Sequence, residues 1–232
     1  LSGVYKPVMD DWFLYGDLYK GISNRLANFS IPNEKFAIRP LAGVFDCFVN
    51  APLFNHLWIV ELFLTFSLLF GSFLIIKALR RNNFASGGFF LCLVCLFPVG
   101  LEATYWIAAA TRVVYSLLFI GCATLSLDYC YKSDKVKFLI MFAVFGMLSV
   151  CFYEPAIVVY IILTLFIVWN NYKNKKDLLP LAIMAAHIAI IGIYYILNSG
   201  SGEIESRGGF LETDILEHTA LVTDYTKNIF TD

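Results

Sequence analysis

Phe138 to Trp169 reads FLIMFAVFGMLSVCFYEPAIVVYIILTLFIVW, with Glu154 as its one charged residue. The run exceeds a single bilayer crossing, which takes roughly 20 apolar residues. Tyr153-Glu154-Pro155 interrupts it near the middle, and a proline disfavours helix for the residue before it. We therefore read two spans, 137–153 and 155–170, folded back on each other with Glu154 at the turn.

Working outward from that hairpin, four more spans are expected at 57–78, 88–103, 107–127 and 178–197. The one at 88–103 is short and broken by Pro98 and Gly100. Bent or re-entrant segments near 98–106 and 153–155 are tolerated in a bilayer only where protein or water covers the freed backbone. The expected fold class is thus all-α: a polytopic transmembrane helical protein with about six visible spans. Composition agrees, since 59% of the chain is hydrophobic and only 15% charged, well away from a soluble domain. Three links, 77–81, 132–137 and 170–177, carry Lys77, Arg80, Arg81, Lys132, Lys135, Lys137, Lys173, Lys175 and Lys176. They are alternate connections, so the positive-inside rule places them in the cytoplasm. The loops around Glu102 and Glu154, and both ends of the chain, then face outward. A net charge of 17 − 18 = −1 gives a nucleic-acid partner no electrostatic support.

Three regions follow: 1–56, an extracytoplasmic or interfacial loop; 57–197, a transmembrane helical domain; and 198–232, a polar extracytoplasmic tail or loop. In the first, 14–26 suits an amphipathic helix in the membrane interface, 33–35 a turn, and 39–50 a second helix. Leu1 is not an initiator Met and no signal peptide is visible, so the chain is expected to be a piece of a longer protein.

The residues that suggest chemistry lie on the outward side. Asp10 and Asp11 stand together in Met9-Asp10-Asp11-Trp12-Phe13. They read either as the solvated start of a helix or as a catalytic base with a partner that raises its proton affinity. The pair suits metal-free base chemistry and a divalent cation, Mg²⁺ or Mn²⁺, equally well. Arg39, in Arg39-Pro40-Leu41, is a snorkelling interfacial arginine or a clamp on a phosphate. Arg112 falls at the outer start of a span, where topology does not favour a cation, and so should face a cavity or a partner; Glu102 is its expected mate. Glu154 caps its turn or meets a substrate, and Arg207 is a solvated tail arginine or a phosphate contact. His56 and His187 read as satisfied hydrogen-bonders, and Cys92-x-x-Cys95 as buried apolar thiols within a helix. No phosphate-cradling glycine loop or nucleophile elbow appears, which disfavours a soluble nucleotide-sugar enzyme.

An acid pair, then Arg39-Pro40-Leu41 leading into a span, then the Glu102 turn, the Arg112 span and the Tyr153-Glu154-Pro155 hairpin resembles the GT-C superfamily of integral membrane glycosyltransferases. Within it the order is similar to that of the bacterial serotype-converting glucosyltransferases that modify O-antigen, over most of 9–170. The resemblance implies transfer of a hexose, glucose in that branch, from a polyprenyl-phosphate carrier to a cell-surface glycan at the outer face of the inner membrane. It implies Asp10 or Asp11 as base and Arg39, Arg112 and Arg207 as phosphate contacts, with Glu102 or Glu154 toward sugar or acceptor. Members commonly have more than six spans and a helix ahead of the acid loop, which again suggests a piece of a longer chain. Three alternatives remain open: a transporter using Glu102, Arg112 and Glu154 as a polar pathway, a lipid-linked glycan polymerase or ligase, and a structural membrane anchor, which leaves these charges unexplained.

Overall fold

In a computed structural model of the chain, describing residue 21 and residues 39–84, 107–133, 136–172 and 178–197, every regular element is helical among those residues. A short helix α1 (Pro40–Phe45) runs without a break into a π turn (Asp46–Asn50) and a 3₁₀ turn (Ala51–His56). Then come α2 (Leu57–Arg81), α3 (Ile107–Ser133), α4 (Val136–Phe152), α5 (Ala156–Asn171) and α6 (Leu179–Leu197). Five of the expected spans fall on α2 to α6. The one at 88–103 lies outside the described residues, as do Asp10, Asp11, Glu102, Arg207 and the tail. Two helices, Leu57–Arg81 and the Ala109–Ser133 part of α3, are long and apolar enough to cross a membrane; α4, α5 and α6 are apolar but shorter.

Both long helices overrun their apolar sequence, for local reasons. Beyond Ala78, α2 continues through Arg80 and Arg81 and stops where Asn83 adopts φ 61°. There the Phe84 N–H bonds the Leu79 carbonyl at 3.0 Å and the Asn83 N–H bonds the Arg80 carbonyl at 3.2 Å, closing the last turn in a Schellman motif with asparagine in the usual glycine place. In α3 the polar end, Asp128 to Ser133, stays helical because Asp128 bonds Lys132 one turn on, at 2.6 Å.

Packing fixes directions. Helices α2 and α3 run parallel and touch backbone to backbone. A Cβ added to Gly71 would lie 2.8 Å from Leu118 Cα, and one on Gly121 would lie 2.6 Å from the Gly71 carbonyl oxygen. Small residues are what allow two apolar helices to approach so closely. Helix α4 returns antiparallel to α3: Ser116 Oγ donates to the Ser149 carbonyl at 2.9 Å, and Phe119 stacks on Phe145 and Tyr129 on Phe138. Helix α5 turns back again after Glu154-Pro155 and lays Tyr160 over Phe142. His187 of α6 meets the Tyr160 hydroxyl at 3.1 Å, the satisfied hydrogen-bonder expected of it.

The buried side chains form two groups. One, with Ile75, Leu127, Phe142 and Tyr160, spans α2 to α6; the other, with Cys47, Leu57, Val60, Ile107 and Val114, lies where α2 and α3 begin. Large apolar side chains also point outward, among them Phe66, Phe73, Ile162 and Trp169, the last 82% exposed. The chain divides into two compact units, Leu1–Ile191 and Gly192–Asp232; of the second, the described part is the end of α6.

Candidate functional site

One end of the helices collects charge that the sequence scatters. This is the end where α2, α3 and α5 begin and α4 finishes. Pro40 occupies the first turn of α1, where its missing N–H costs nothing, and so Arg39 sits immediately outside that helix. Glu154 sits in the turn forced by Pro155 between α4 and α5. The two meet across 115 positions of sequence in a fork: Arg39 Nε–H donates to Glu154 Oε2 at 2.6 Å and Arg39 Nη2 to Oε1 at 2.5 Å. The guanidinium also lies 5.0 Å from the Tyr153 ring centroid. Both side chains are largely covered, at 14% and 19% exposure. A two-point charge-assisted contact of this kind is both strong and directional.

The second pair lies at the other end of α1, roughly 10 Å away by helical rise. Asp46 opens the π turn and is fully buried; Arg112 of α3 approaches it at 3.7 Å, Nη2 to Oδ2. Asn50, also buried, donates to Asp46 Oδ1 at 3.1 Å and to Thr111 Oγ1 at 2.9 Å. Thr111 in turn donates to the Ile107 carbonyl at 2.7 Å. The carboxylate is thus tied to the first turn of α3, next to the arginine it faces. Between the two pairs the Phe45 ring packs on Tyr115 at 4.9 Å and on Phe152 at 5.0 Å, which keeps their mutual position fixed.

The structure therefore brings together three of the sequence-nominated residues, Arg39, Arg112 and Glu154. Arg39 and Glu154, expected to serve different parts of a ligand, hold each other. The acid described beside Arg112 is Asp46, while its expected mate Glu102 lies outside the described residues. Sequence reasoning missed Asp46, Asn50 and Thr111, which look like ordinary polar positions of a short helix and a span. The signal available was spacing: Asp46 and Asn50 are four apart, hence on one face, amid Phe45, Cys47, Phe48 and Val49.

Chemically, this end offers two cations in different states. Both fork donors of Arg39 facing Glu154 are used. Arg112 stands beyond the usual N–H···O range of 2.7–3.2 Å, and its buried Nε makes no hydrogen bond among the described residues. No three His, Cys, Asp or Glu side chains gather as a metal site among the described residues, and the Asp10-Asp11 pair lies outside them.

The opposite end was not singled out from sequence. There Asp128, fully buried, receives Arg81, Lys132 at 2.6 Å and Asn82 Nδ2 at 2.7 Å. Asn171 Nδ2 donates on to Asn82 Oδ1 at 2.8 Å, tying α5 to the end of α2. Lys132 also donates to the Arg81 carbonyl at 2.7 Å, and Arg81 lies 4.4 Å from the Tyr129 ring centroid. Comparison of the chain with protein-family models, curated proteins and solved structures finds no match.

Proposed function

We propose that the chain acts as a multi-pass membrane glycosyltransferase that moves a hexose, glucose by resemblance, from a polyprenyl-phosphate carrier to a cell-surface glycan such as O-antigen. The observation that carries the reading is the convergence of Arg39, Glu154, Arg112 and Asp46 at one end of an apolar helical bundle. Lys77, Arg80, Arg81, Lys132 and Lys137 lie toward the other end, which the positive-inside rule assigns to the cytoplasm. The Arg39 end is then extracytoplasmic, as in GT-C enzymes. Outward-facing Phe66, Phe73, Ile162 and Trp169 fit lipid contact, since soluble proteins rarely expose such continuous apolar surface.

The chemistry asked of such a site is modest. An acceptor hydroxyl attacks the anomeric carbon, a carboxylate of Asp10 or Asp11 takes its proton, and the bond from that carbon to the phosphate oxygen breaks. The carrier leaves as a phosphate anion, which needs cations more than an acid. In this reading Arg112 supplies that charge, with Arg207 as a second candidate by resemblance. Glu154 holds Arg39 in its fork, and Glu102 is left to meet sugar or acceptor.

The reading is tested by following radiolabelled hexose from a polyprenyl-phosphate donor into membrane glycan, using the full-length protein, Asp10→Asn and Asp11→Asn at matched expression. Transfer by wild type and its loss in one variant is the expected result. No transfer from any of several such donors would overturn the assignment. Transfer equal in all three proteins would remove the acid pair from the mechanism.

A further inference from the structure

We infer that Asp46 is a positioning residue: from its π turn it orients the Arg112 guanidinium toward the phosphate of a lipid-linked ligand without saturating it. The inference rests on the donor class proposed above and adds a residue to it. Three observations lead there. First, the carboxylate is held from behind. Asn50 binds Oδ1 and is itself anchored on Thr111, so Oδ2 is the oxygen turned to Arg112. A carboxylate free to rotate would not fix the direction of the guanidinium.

Second, the separation differs from that of the other pair at this end. Arg39 sits at 2.5 and 2.6 Å from both Glu154 oxygens, a closed fork, whereas Arg112 stands 3.7 Å from Asp46. At that distance the attraction still sets orientation, but the N–H donors remain available to another acceptor. A guanidinium fork matches two oxygens of a phosphate, which makes a phosphomonoester or diester the fitting class of ligand. Nε of Arg112 is buried and makes no hydrogen bond among the described residues, so the guanidinium is left unsaturated.

Third, the setting is costly for a merely structural pair. Apolar replacements commonly stabilise as well as a buried ion pair does. The neighbouring positions Ala42, Cys47 and Ala51 show that apolar packing is available on the same segment. The carboxylate also sits on a π turn, a departure from α geometry that recurs at functional sites.

The test uses the full-length protein in nanodiscs and farnesyl phosphate as probe, with inorganic phosphate and farnesol as separate arms. Wild type, Asp46→Asn, Asp46→Glu, Asn50→Ala and Arg112→Gln are titrated, and each variant's melting curve is recorded. We expect wild type to bind farnesyl phosphate well above either control. Asp46→Asn and Arg112→Gln should each weaken it roughly ten-fold or more, the scale of one hydrogen bond to a charged group. Their double variant should be no weaker than either, and Asp46→Glu should recover part of the affinity. Should Asp46→Asn not fold, Asn50→Ala decides, because it frees the carboxylate and keeps both charges; about three-fold weaker binding is expected. Farnesyl phosphate binding at wild-type affinity in the Asp46 and Asn50 variants would overturn the inference and leave the enzyme reading intact. Inorganic phosphate binding as tightly as farnesyl phosphate would show a site for the free ion and overturn the lipid-linked assignment. No farnesyl phosphate binding by wild type would remove the donor class itself, and this inference with it.

Discussion

The two ends of the helical bundle treat buried charge differently. At the Asp128 end one carboxylate is met by Arg81, Lys132 and Asn82, and each cation is itself about a third exposed, at 33%. The group is closed: Lys132 also donates to the Arg81 carbonyl at the end of α2. At the Arg39 end the charges are split into two pairs, one closed by a fork and one held at 3.7 Å. A saturated cluster fastens helices; a cation with unused donors is the one we propose for an anion. The first end reads as a clasp; the second is the surface to which we assign the proposed chemistry.

That contrast can be attacked from the clasp side, where the largest effect is expected. Arg81→Gln with Lys132→Gln strands Asp128 in the bundle without a counter-charge, and loss of about 3–5 kcal/mol is the usual scale. Thermal unfolding in detergent, followed by circular dichroism, measures it. A drop no larger than for an exposed control such as Lys77→Gln would mean that the cluster does not fasten α2 to α3.

A somewhat smaller loss is expected from the helix crossing between the two ends. Gly121→Val places new atoms where even a Cβ would lie 2.6 Å from a backbone oxygen, so α2 and α3 must separate. Overpacking costs about 1–3 kcal/mol. Gly192, with nothing near its added Cβ, is the matched control. Arg112 and Gly121 share α3, so Gly121→Val should also depress hexose transfer per folded molecule, and unchanged transfer would separate the crossing from the site.

At the Arg39 end, Glu154→Gln keeps the shape of the fork and removes its charge. Partial exposure limits the cost to about 1–2 kcal/mol, within reach of the same melting assay. Transfer should fall but persist, since Arg112 rather than Arg39 is the proposed phosphate cation. Complete loss of transfer with an intact fold would promote the Arg39–Glu154 pair over Arg112.

The smallest effect belongs to the cap of α2. Asn83 holds φ 61°, which costs an alanine roughly 1 kcal/mol and a glycine nothing. Asn83→Ala should therefore lower the melting temperature slightly and Asn83→Gly should not, with transfer unchanged in both.

How much of this was legible in sequence follows from the range of the forces involved. Helices α2 to α6 were, because each is an apolar run bounded by charge or proline, and the Glu154-Pro155 turn is a local steric matter. Their ends were less so. Sequence stops α2 at Ala78, where polarity begins, yet its Schellman cap carries it to Arg81; α3 likewise runs on through Asp128 to Ser133. Arg112 stood out because its depth in a span was anomalous. The pairings did not stand out. Arg39 and Glu154 are 115 positions apart, and no local rule joins them. Asp46 was hidden by the expectation of one plain helix over 39–50, when the chain runs from α to π at that residue. Asp128 was hidden by its neighbours, since Lys132 and Arg81 were already accounted for as topological charges.

The most direct test of the account compares Arg112→Gln with Asp128→Asn in the full-length protein. Polyprenyl-phosphate hexose transfer is measured per folded molecule, alongside the melting temperature of each. Arg112→Gln is expected to abolish transfer with a modest change in melting, while Asp128→Asn melts several degrees lower and transfers normally. Loss of transfer in Asp128→Asn with wild-type transfer in Arg112→Gln would contradict it, placing the working surface at the other end of the bundle.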